Sequence, residues 1–243
     1  MKAMILAAGL GTRLKPITDN KPKALIEIDG TTLLELIIKK LEFYGFSEIV
    51  VNVHHFAHLV TEFIRSKQFG SEIIISDETE RLLDTGGGIL NAQQYLDGDQ
   101  PFLVHNVDIL SDIKLDELYR KQVEGNSLAT LAISNRRSSR VLLFDESMQL
   151  SGWKNLDKGD RIITRCGREL NPFAFNGIYV IDPAVFKVIE KRGTRSIIDI
   201  FLELSKSHLI TGVDFSKNMF LDIGKHENLI NAEKIIDRFR ING

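Results

Sequence analysis

Residues 6 to 25 read LAAGLGTRLKPITDNKPKAL and combine Gly9 and Gly11, Pro16 and Pro22, and four basic side chains directly behind a short apolar run. Small residues let backbone N–H groups approach an anion, and consecutive amides in a turn form an anion-binding nest. Arg13 can fork onto phosphate oxygens, whereas Lys23, ten positions later, is a compact charge able to follow a moving phosphoryl group. Pro16 and Pro22 stiffen the intervening chain, so the two cations lose less freedom on binding. The chemistry of this loop is phosphate binding.

Two common phosphate loops do not fit it. No window supplies G-x-x-x-x-G-K-[ST], which excludes a Walker A loop. A G-x-G-x-x-G dinucleotide fingerprint fails at Leu14, and the second strand ends in VNVHH rather than in an acidic residue. Asp108, in HNVDIL, stands just past the end of an apolar strand, and Asp222 stands at a similar strand end far along the chain. Taken singly, each reads first as a turn or helix cap, while strand-end carboxylates also suit Mg²⁺, which takes one or two of them together with substrate phosphates. Thr85, Gly86 and Gly87 read as a helix N-terminus whose small residues also let backbone come close to a ligand. His54, His55 and His58 read as a strand-to-helix loop, with no further ligand at zinc spacing.

The elements that must position these residues alternate. Apolar runs of strand length alternate with segments of helical period, the pattern of βαβ units on a mainly parallel sheet. Strands are expected at 3–8, 48–53, 72–76 and 101–104, and helices from Thr32 to Gly45, over 57–66 and from the glycines at 86–88 through Tyr95. Thr32 and Glu35 have capping-box spacing. From 128 to about 150 the runs look antiparallel. FAFNGIYVI at 173–181 returns to the sheet, helices follow near 183–191 and 196–206, and a C-terminal helix puts Leu229, Ala232, Ile236 and Phe239 on one face.

Bulk properties fit a soluble enzyme-sized domain. With 31 Lys and Arg against 33 Asp and Glu, the net charge of -2 provides no global field for nucleic acid or membrane. The single cysteine, Cys166, excludes an intrachain disulfide and a cysteine-based zinc site. The N-terminal apolar run is too short for a signal peptide and no stretch approaches a membrane span, so a cytoplasmic protein is expected.

LAAGLGTRLKPITDNKPK resembles the signature of the sugar-1-phosphate nucleotidyltransferases, L-A-A-G-x-G-T-R-L-x-P-x-T-x-x-x-P-K, at every specified position. LDTGGGI at 83–89 resembles the family's T-G-G segment, HNVDIL at 105–110 its metal-bearing aspartate turn, and FLDIGKHENL its C-terminal W/F-x-D-x-G-T-x-x-x-L. Val107 stands where glycine is usual and Lys225 where threonine is usual; neither departure removes a ligand. Compact length and the DTGGGI segment most resemble the short N-acetylmuramate-1-phosphate uridylyltransferase type and the short mannose- or heptose-1-phosphate guanylyltransferases.

The resemblance implies one Rossmann-like α/β domain over 1–243, a mixed, mainly parallel sheet flanked by helices, with a small antiparallel insert on the sugar side at about 128–172. It implies transfer of a nucleoside monophosphate from an NTP, UTP first and GTP as the alternative, to a sugar 1-phosphate, with release of pyrophosphate. Arg13 would hold the leaving phosphates and Lys23 would bridge the α-phosphate and the attacking phosphate. Leu6, Ala7, Ala8, Gly9, Gly11, Thr12, Thr85, Gly86 and Gly87 would contact the nucleotide, Asn106, Asn176 and Gly177 the sugar, and Asp108 and Asp222 the Mg²⁺. A second basic contact to the sugar phosphate is expected among Arg140, Trp153 and Lys154. A catalytically silent nucleotide-sugar sensor would lack one of Arg13, Lys23, Asp108 and Asp222, and all four are present. The expected state is a monomer or small homo-oligomer making a cell-envelope precursor, with no nucleic-acid or membrane partner.

Overall fold

The computed structural model describes residues 1–167, 169–189, 193–224, 226–236 and 239. The first part of the chain runs β1 (Lys2–Leu6), two short 3-10 turns (Thr12–Leu14 and Lys23–Leu25), β2 (Glu27–Ile28), β3 (Thr31–Thr32), α1 (Leu33–Phe43), β4 (Glu48–Val53), α2 (Ala57–Ser66) and β5 (Glu72–Asp77). Next come α3 (Asp84–Asn91), α4 (Gln93–Leu96), β6 (Phe102–Asn106), β7 (Ile109–Ser111), α5 (Leu115–Glu124) and β8 (Ala129–Ser134). The remainder is β9 (Arg140–Phe144), β10 (Leu150–Asn155), β11 (Arg161–Ile163), β12 (Asn171–Ile181), α6 (Val185–Val188), α7 (Ile197–Leu204), β13 (Ile210–Asp214), β14 (Phe220–Asp222) and α8 (His226–Ile235).

Alternation of side chains decides the layers. In β1, Ala3 and Ile5 enter one apolar cluster and Met4 and Leu6 the other, as expected of a strand covered on both faces. The first cluster takes Leu34 and Ile38 of α1, Val60 of α2, Leu118 of α5 and Ala232 of α8. The second takes Ile89 of α3, Leu96 of α4, Phe186 of α6 and Phe201 of α7. Strand order is β11-β10-β9-β12-β6-β1-β4-β5, with β8 joined to β12 and β13 to β8. The β6, β1, β4 and β5 strands are mutually parallel, so their C-terminal ends, and the loops that leave them, share one edge.

The capping-box spacing is realised: the Thr32 side chain accepts the Glu35 N–H at 3.2 Å. The strand over 48–53 and the helix over 57–66 fall where periodicity put them. Three details differ. β1 stops at Leu6, because the amides of Ala7 and Ala8 turn aside to a side chain described below. β8 pairs antiparallel with β12, as expected from 128 onward, but on its other side it takes β13 as a parallel neighbour, ahead of the antiparallel β9 to β11. Several elements, α5 and β13 among them, lie outside the expected set; α5 buries Leu115, Leu118, Tyr119 and Gln122 on one face without a side-chain N-cap. The C-terminal part of the expected 183–191 helix, and Lys225, lie outside the described residues.

Candidate active site

The loop after β1 is held open by its glycines and threonine. Gly11 has φ +64°, and a β-carbon there would meet the Thr18 methyl at 3.0 Å and Lys23 Cβ at 3.2 Å, so glycine is required both by conformation and by space. The Thr18 hydroxyl donates to the Gly11 carbonyl at 2.9 Å and ties the two ends of the loop together. Arg13, in the first 3-10 turn, is exposed, whereas Lys23 is buried. The Lys23 ammonium makes an ion pair with Asp108 Oδ2.

The two aspartates are brought together by pairing between distant segments. β7 and β14 form an antiparallel ribbon in which Asp222 faces Ile109, and the Ile223 N–H donates to the Asp108 carbonyl at 2.8 Å. Asp222 Oδ1 accepts the Gly224 N–H at 2.8 Å. A β-carbon on Gly224 would lie 2.7 Å from that oxygen and 3.1 Å from an Arg13 guanidinium nitrogen. Arg13 and Asp222 therefore meet at one turn, and Lys23 and Asp108 meet beside it. The donor set fits a hard divalent cation: two carboxylates on one ribbon, with an ammonium already resting on one of them.

A cleft of about 370 Å³ opens beside these groups and is lined by Leu6, Ala7, Ala8, Gly9, Lys23, Asn106 and Asp108, with Asn52, Glu78, Asp84, Thr85 and Thr194 on the other wall. Two expectations about its amides change. Ala7 and Ala8 donate to Asn52 Oδ1 at 2.7 and 3.3 Å, so the amides left for an anion lie further along, from Gly9 to Thr12. Gly86 and Gly87 face away from the cleft, and both donate to the Arg195 carbonyl, at 2.8 and 3.1 Å. A β-carbon at Gly86 would lie 2.5 Å from Ile200 Cδ1, and one at Gly87 2.4 Å from the Gly193 carbonyl oxygen. Those glycines serve the close packing of α3 on α7 and the turn before it. Of the T-G-G segment only Thr85 reaches the cleft wall, and its hydroxyl accepts the Ile197 N–H at 2.9 Å.

Gly177, with φ +70°, packs under the Asn106 side chain; a β-carbon there would meet Asn106 Nδ2 at 2.7 Å. Asn176 is 1% exposed, and its Oδ1 accepts from Ser134 Oγ at 2.9 Å and from Arg136 Nε at 3.3 Å. Arg140 and Trp153 line a second cleft of about 460 Å³ together with Phe175, Ser196 and Asp199. Lys154 pairs with Arg161 across β10 and β11 and lines neither cleft.

A family model described as nucleotidyl transferase matches residues 2–141, more than half of the sequence. The chain belongs to the nucleotidyl transferase family. An N-acetylmuramate alpha-1-phosphate uridylyltransferase from Caulobacter vibrioides is 29% identical over 245 residues, covering 95% of each chain. A mannose-1-phosphate guanyltransferase from Yarrowia lipolytica is 26% identical over 236 residues, 96% of this chain and 63% of that longer one. The solved inositol-1-phosphate CTP transferase from T. maritima superposes with a TM-score of 0.79 at 18% identity, covering 98% of this chain and 95% of that one, and shares the fold.

In this nucleotidyl transferase, Asn52 and Glu78 are site residues that motif reading missed. Asn52 Nδ2 donates to Glu78 Oε1 at 2.7 Å, and Glu78 Oε2 accepts the Leu83 N–H at 3.3 Å, so one buried relay ties the loop after β1 to the segment before α3. Burial pushes the Glu78 carboxyl above its ordinary pKa, while the bonds from Asn52 and Leu83 pull it back. Gly88 belongs to the same knot, since a β-carbon there would lie 2.6 Å from Glu78 Oε1. The available signal was a polar Asn at the end of the apolar strand EIVVNV and a Glu just past the next strand. Members of the family generally depend on a divalent metal ion, and no helix of the described residues is long and apolar enough to cross a membrane.

Proposed function

We propose that this nucleotidyl transferase moves a nucleoside monophosphate from UTP to a sugar 1-phosphate, giving a UDP-sugar and pyrophosphate. The observation that carries the reading is the convergence of Arg13, Lys23, Asp108 and Asp222 beside one cleft at the C-terminal edge of the parallel strands. An oxygen of the sugar phosphate attacks the α-phosphorus, and the bond to the pyrophosphate breaks. The attacking group is already anionic at neutral pH, so the site needs to position and neutralise rather than to remove a proton.

Each residue then has a task. Gly9 to Thr12 offer backbone N–H groups to the triphosphate, and Arg13 holds the leaving phosphates by its bidentate fork. Lys23 exchanges Asp108 for phosphate oxygens, as its charge and buried stem allow. Asp108 and Asp222 would hold Mg²⁺, which when bound neutralises triphosphate charge and orients it. Asn106 borders the acceptor from the cleft wall, with Gly177 packed beneath it and the buried Asn176 behind, and the sugar extends toward the cleft of Arg140 and Trp153. We assign this activity to one domain over 1–243, acting as a monomer or small homo-oligomer in the cytoplasm.

UTP and N-acetylmuramate 1-phosphate are the first pair to test because the relative that is covered to 95% carries that name. GTP with mannose 1-phosphate is the second reading, favoured by the Yarrowia relative. Pyrophosphate release should be scored for ATP, CTP, GTP, UTP and dTTP against N-acetylmuramate, mannose and glucose 1-phosphates. Turnover greatest with UTP is expected. Release with none of the pairs would overturn the transfer reading in favour of a nucleotide-sugar sensor.

A further inference from the structure

Arg136 follows β8 and turns back across β12, where three neutral groups fix its guanidinium. Its Nε donates to Asn176 Oδ1 at 3.3 Å, a terminal nitrogen donates to the Phe175 carbonyl at 2.8 Å, and its central carbon lies 4.3 Å from the centroid of the Phe220 ring. Edge, tip and face are all engaged, so the group is held in one orientation. Arg136 is half-buried, and among the described residues no carboxylate lies within ion-pair distance of it. Burial lowers its proton affinity, and the charge of Asp222 partly restores it. A guanidinium stays charged nonetheless.

The groups in direct contact with this partly desolvated cation are all neutral, and the Asp222 charge acts on it from beyond ion-pair distance, so the contact position of an anion is open. Several of its five N–H donors remain without a partner among the described residues. Asn176, 1% exposed, also has an Nδ2 with no partner, so the polar inventory beside Arg136 is incomplete. The location is informative. Phe220 lies on β14 two positions before Asp222, and Phe175 also lines the cleft of Arg140 and Trp153. Arg136 thus approaches from the β12 side, whereas Arg13 and Lys23 belong to the loop after β1.

We propose that Arg136 binds the phosphate of the acceptor, the sugar 1-phosphate, and so orients the attacking oxygen. This rests on the transfer reading above. The division is one substrate per side: the loop after β1 takes the triphosphate, and Arg136 takes the acceptor's anion. The basic group expected among Arg140, Trp153 and Lys154 is replaced by a residue four positions before Arg140.

Steady-state kinetics with UTP and N-acetylmuramate 1-phosphate on the full chain test this. For Arg136→Met the acceptor KM should rise about 10- to 100-fold, the loss typical of a charged hydrogen-bonded contact, while the UTP KM stays within about twofold. Arg136→Lys should recover only part of the loss, because a point charge does not reproduce the fork. Should Arg136→Met fail to fold, Arg136→Lys alone still predicts a raised acceptor KM with an unchanged UTP KM. An unaltered acceptor KM overturns the proposal, as does a parallel rise in both KM values with a lowered unfolding temperature, which marks a structural role. If the wild-type chain releases no pyrophosphate with any pair, the transfer reading fails on its own. Calorimetric titration with N-acetylmuramate 1-phosphate and with inorganic phosphate then judges Arg136 separately: weaker binding to Arg136→Lys than to wild type supports it, and equal or absent binding to both refutes it.

Discussion

Arg13 and Lys23 carry the same formal charge but differ in burial and partners. Arg13 is exposed and close to Asp222 and Gly224, whereas Lys23 is buried against Asp108. An exposed guanidinium contributes little to folding and can give its whole fork to a ligand. Arg13→Ala should therefore lower kcat/KM by about 100-fold or more, the loss of one strong transition-state contact, with the unfolding temperature nearly unchanged. Arg13→Lys should restore little of it. Pyrophosphate-release kinetics beside thermal unfolding decide the matter, and equal rates for the Lys variant and wild type would contradict the bidentate role. Asp108→Asn separates ligand from scaffold. The amide still accepts from Lys23 but loses the charge that attracts a divalent ion, so calorimetric Mn²⁺ or Mg²⁺ affinity should fall about tenfold or more. The Lys23 ammonium loses its buried counter-ion, so the unfolding temperature should fall by as much as about 10 °C in a chain of this size while the native fold is kept. A collapse of the fold would mark Asp108 as structural.

At the scale of elements, the decisive unit is the β7 and β14 ribbon. It joins segments more than a hundred residues apart and delivers Asp108 and Asp222 to one place. Gly224 just beyond it offers a clean probe. A β-carbon there meets Asp222 Oδ1 at 2.7 Å and Arg13 at 3.1 to 3.4 Å, both far ends of side chains that can move aside at small cost to folding. Gly224→Ala should thus cut turnover at least about tenfold and weaken metal binding, with little change in unfolding temperature, because only side-chain tips are displaced. Unimpaired turnover in that variant would show that neither displaced group matters to the reaction. The ribbon also shows what could be read from the chain. Short-range features were legible: the Thr32 cap, the strand at Glu48–Val53 and the helix at Ala57–Ser66 rest on spacing within a few residues. Asp108 and Asp222 could be named as strand-end carboxylates, but their pairing is a long-range contact that no local period encodes. The same holds for Ala7 and Ala8, whose amides are taken by Asn52, and for Gly86 and Gly87, whose missing β-carbons serve α7 rather than a ligand. Arg136 was invisible for the same reason, since its environment is assembled from β8, β12 and β14.

For the whole molecule, two basic groups buried in the α1 layer under β6 and β7 link stability to pH. His105 is fully buried, with Nδ1 at 2.8 Å from the Asn106 carbonyl and Nε2 unpartnered, and burial, then the Lys40 charge, push its pKa down to about 3. Lys40 donates to the Ser111 carbonyl and, at 3.0 Å, to its hydroxyl; burial lowers it to about 7 despite the opposing pull of Asp112. In both cases the unfolded chain binds a proton that the native state refuses, so stability rises with pH across the interval between the two pKa values. For His105 that interval runs from about 3 to the ordinary 6.5, and for Lys40 from about 7 to the ordinary 10.5. The His105 contribution is complete above 6.5 and is lost as pH falls toward 3; the Lys40 contribution grows from 7 upward. At about 1.4 kcal/mol per pKa unit each ramp amounts to as much as roughly 5 kcal/mol, a large part of a domain's net stability. Denaturant unfolding across pH should therefore show a steep acid limb that flattens in His105→Leu while the alkaline rise persists. Lys40→Met should flatten the limb above pH 7 and, by removing the charge that helps hold His105 down, also make the acid limb somewhat shallower without abolishing it. Curves for both variants that merely run parallel to wild type would mean that neither group's pKa differs between the native and the unfolded chain.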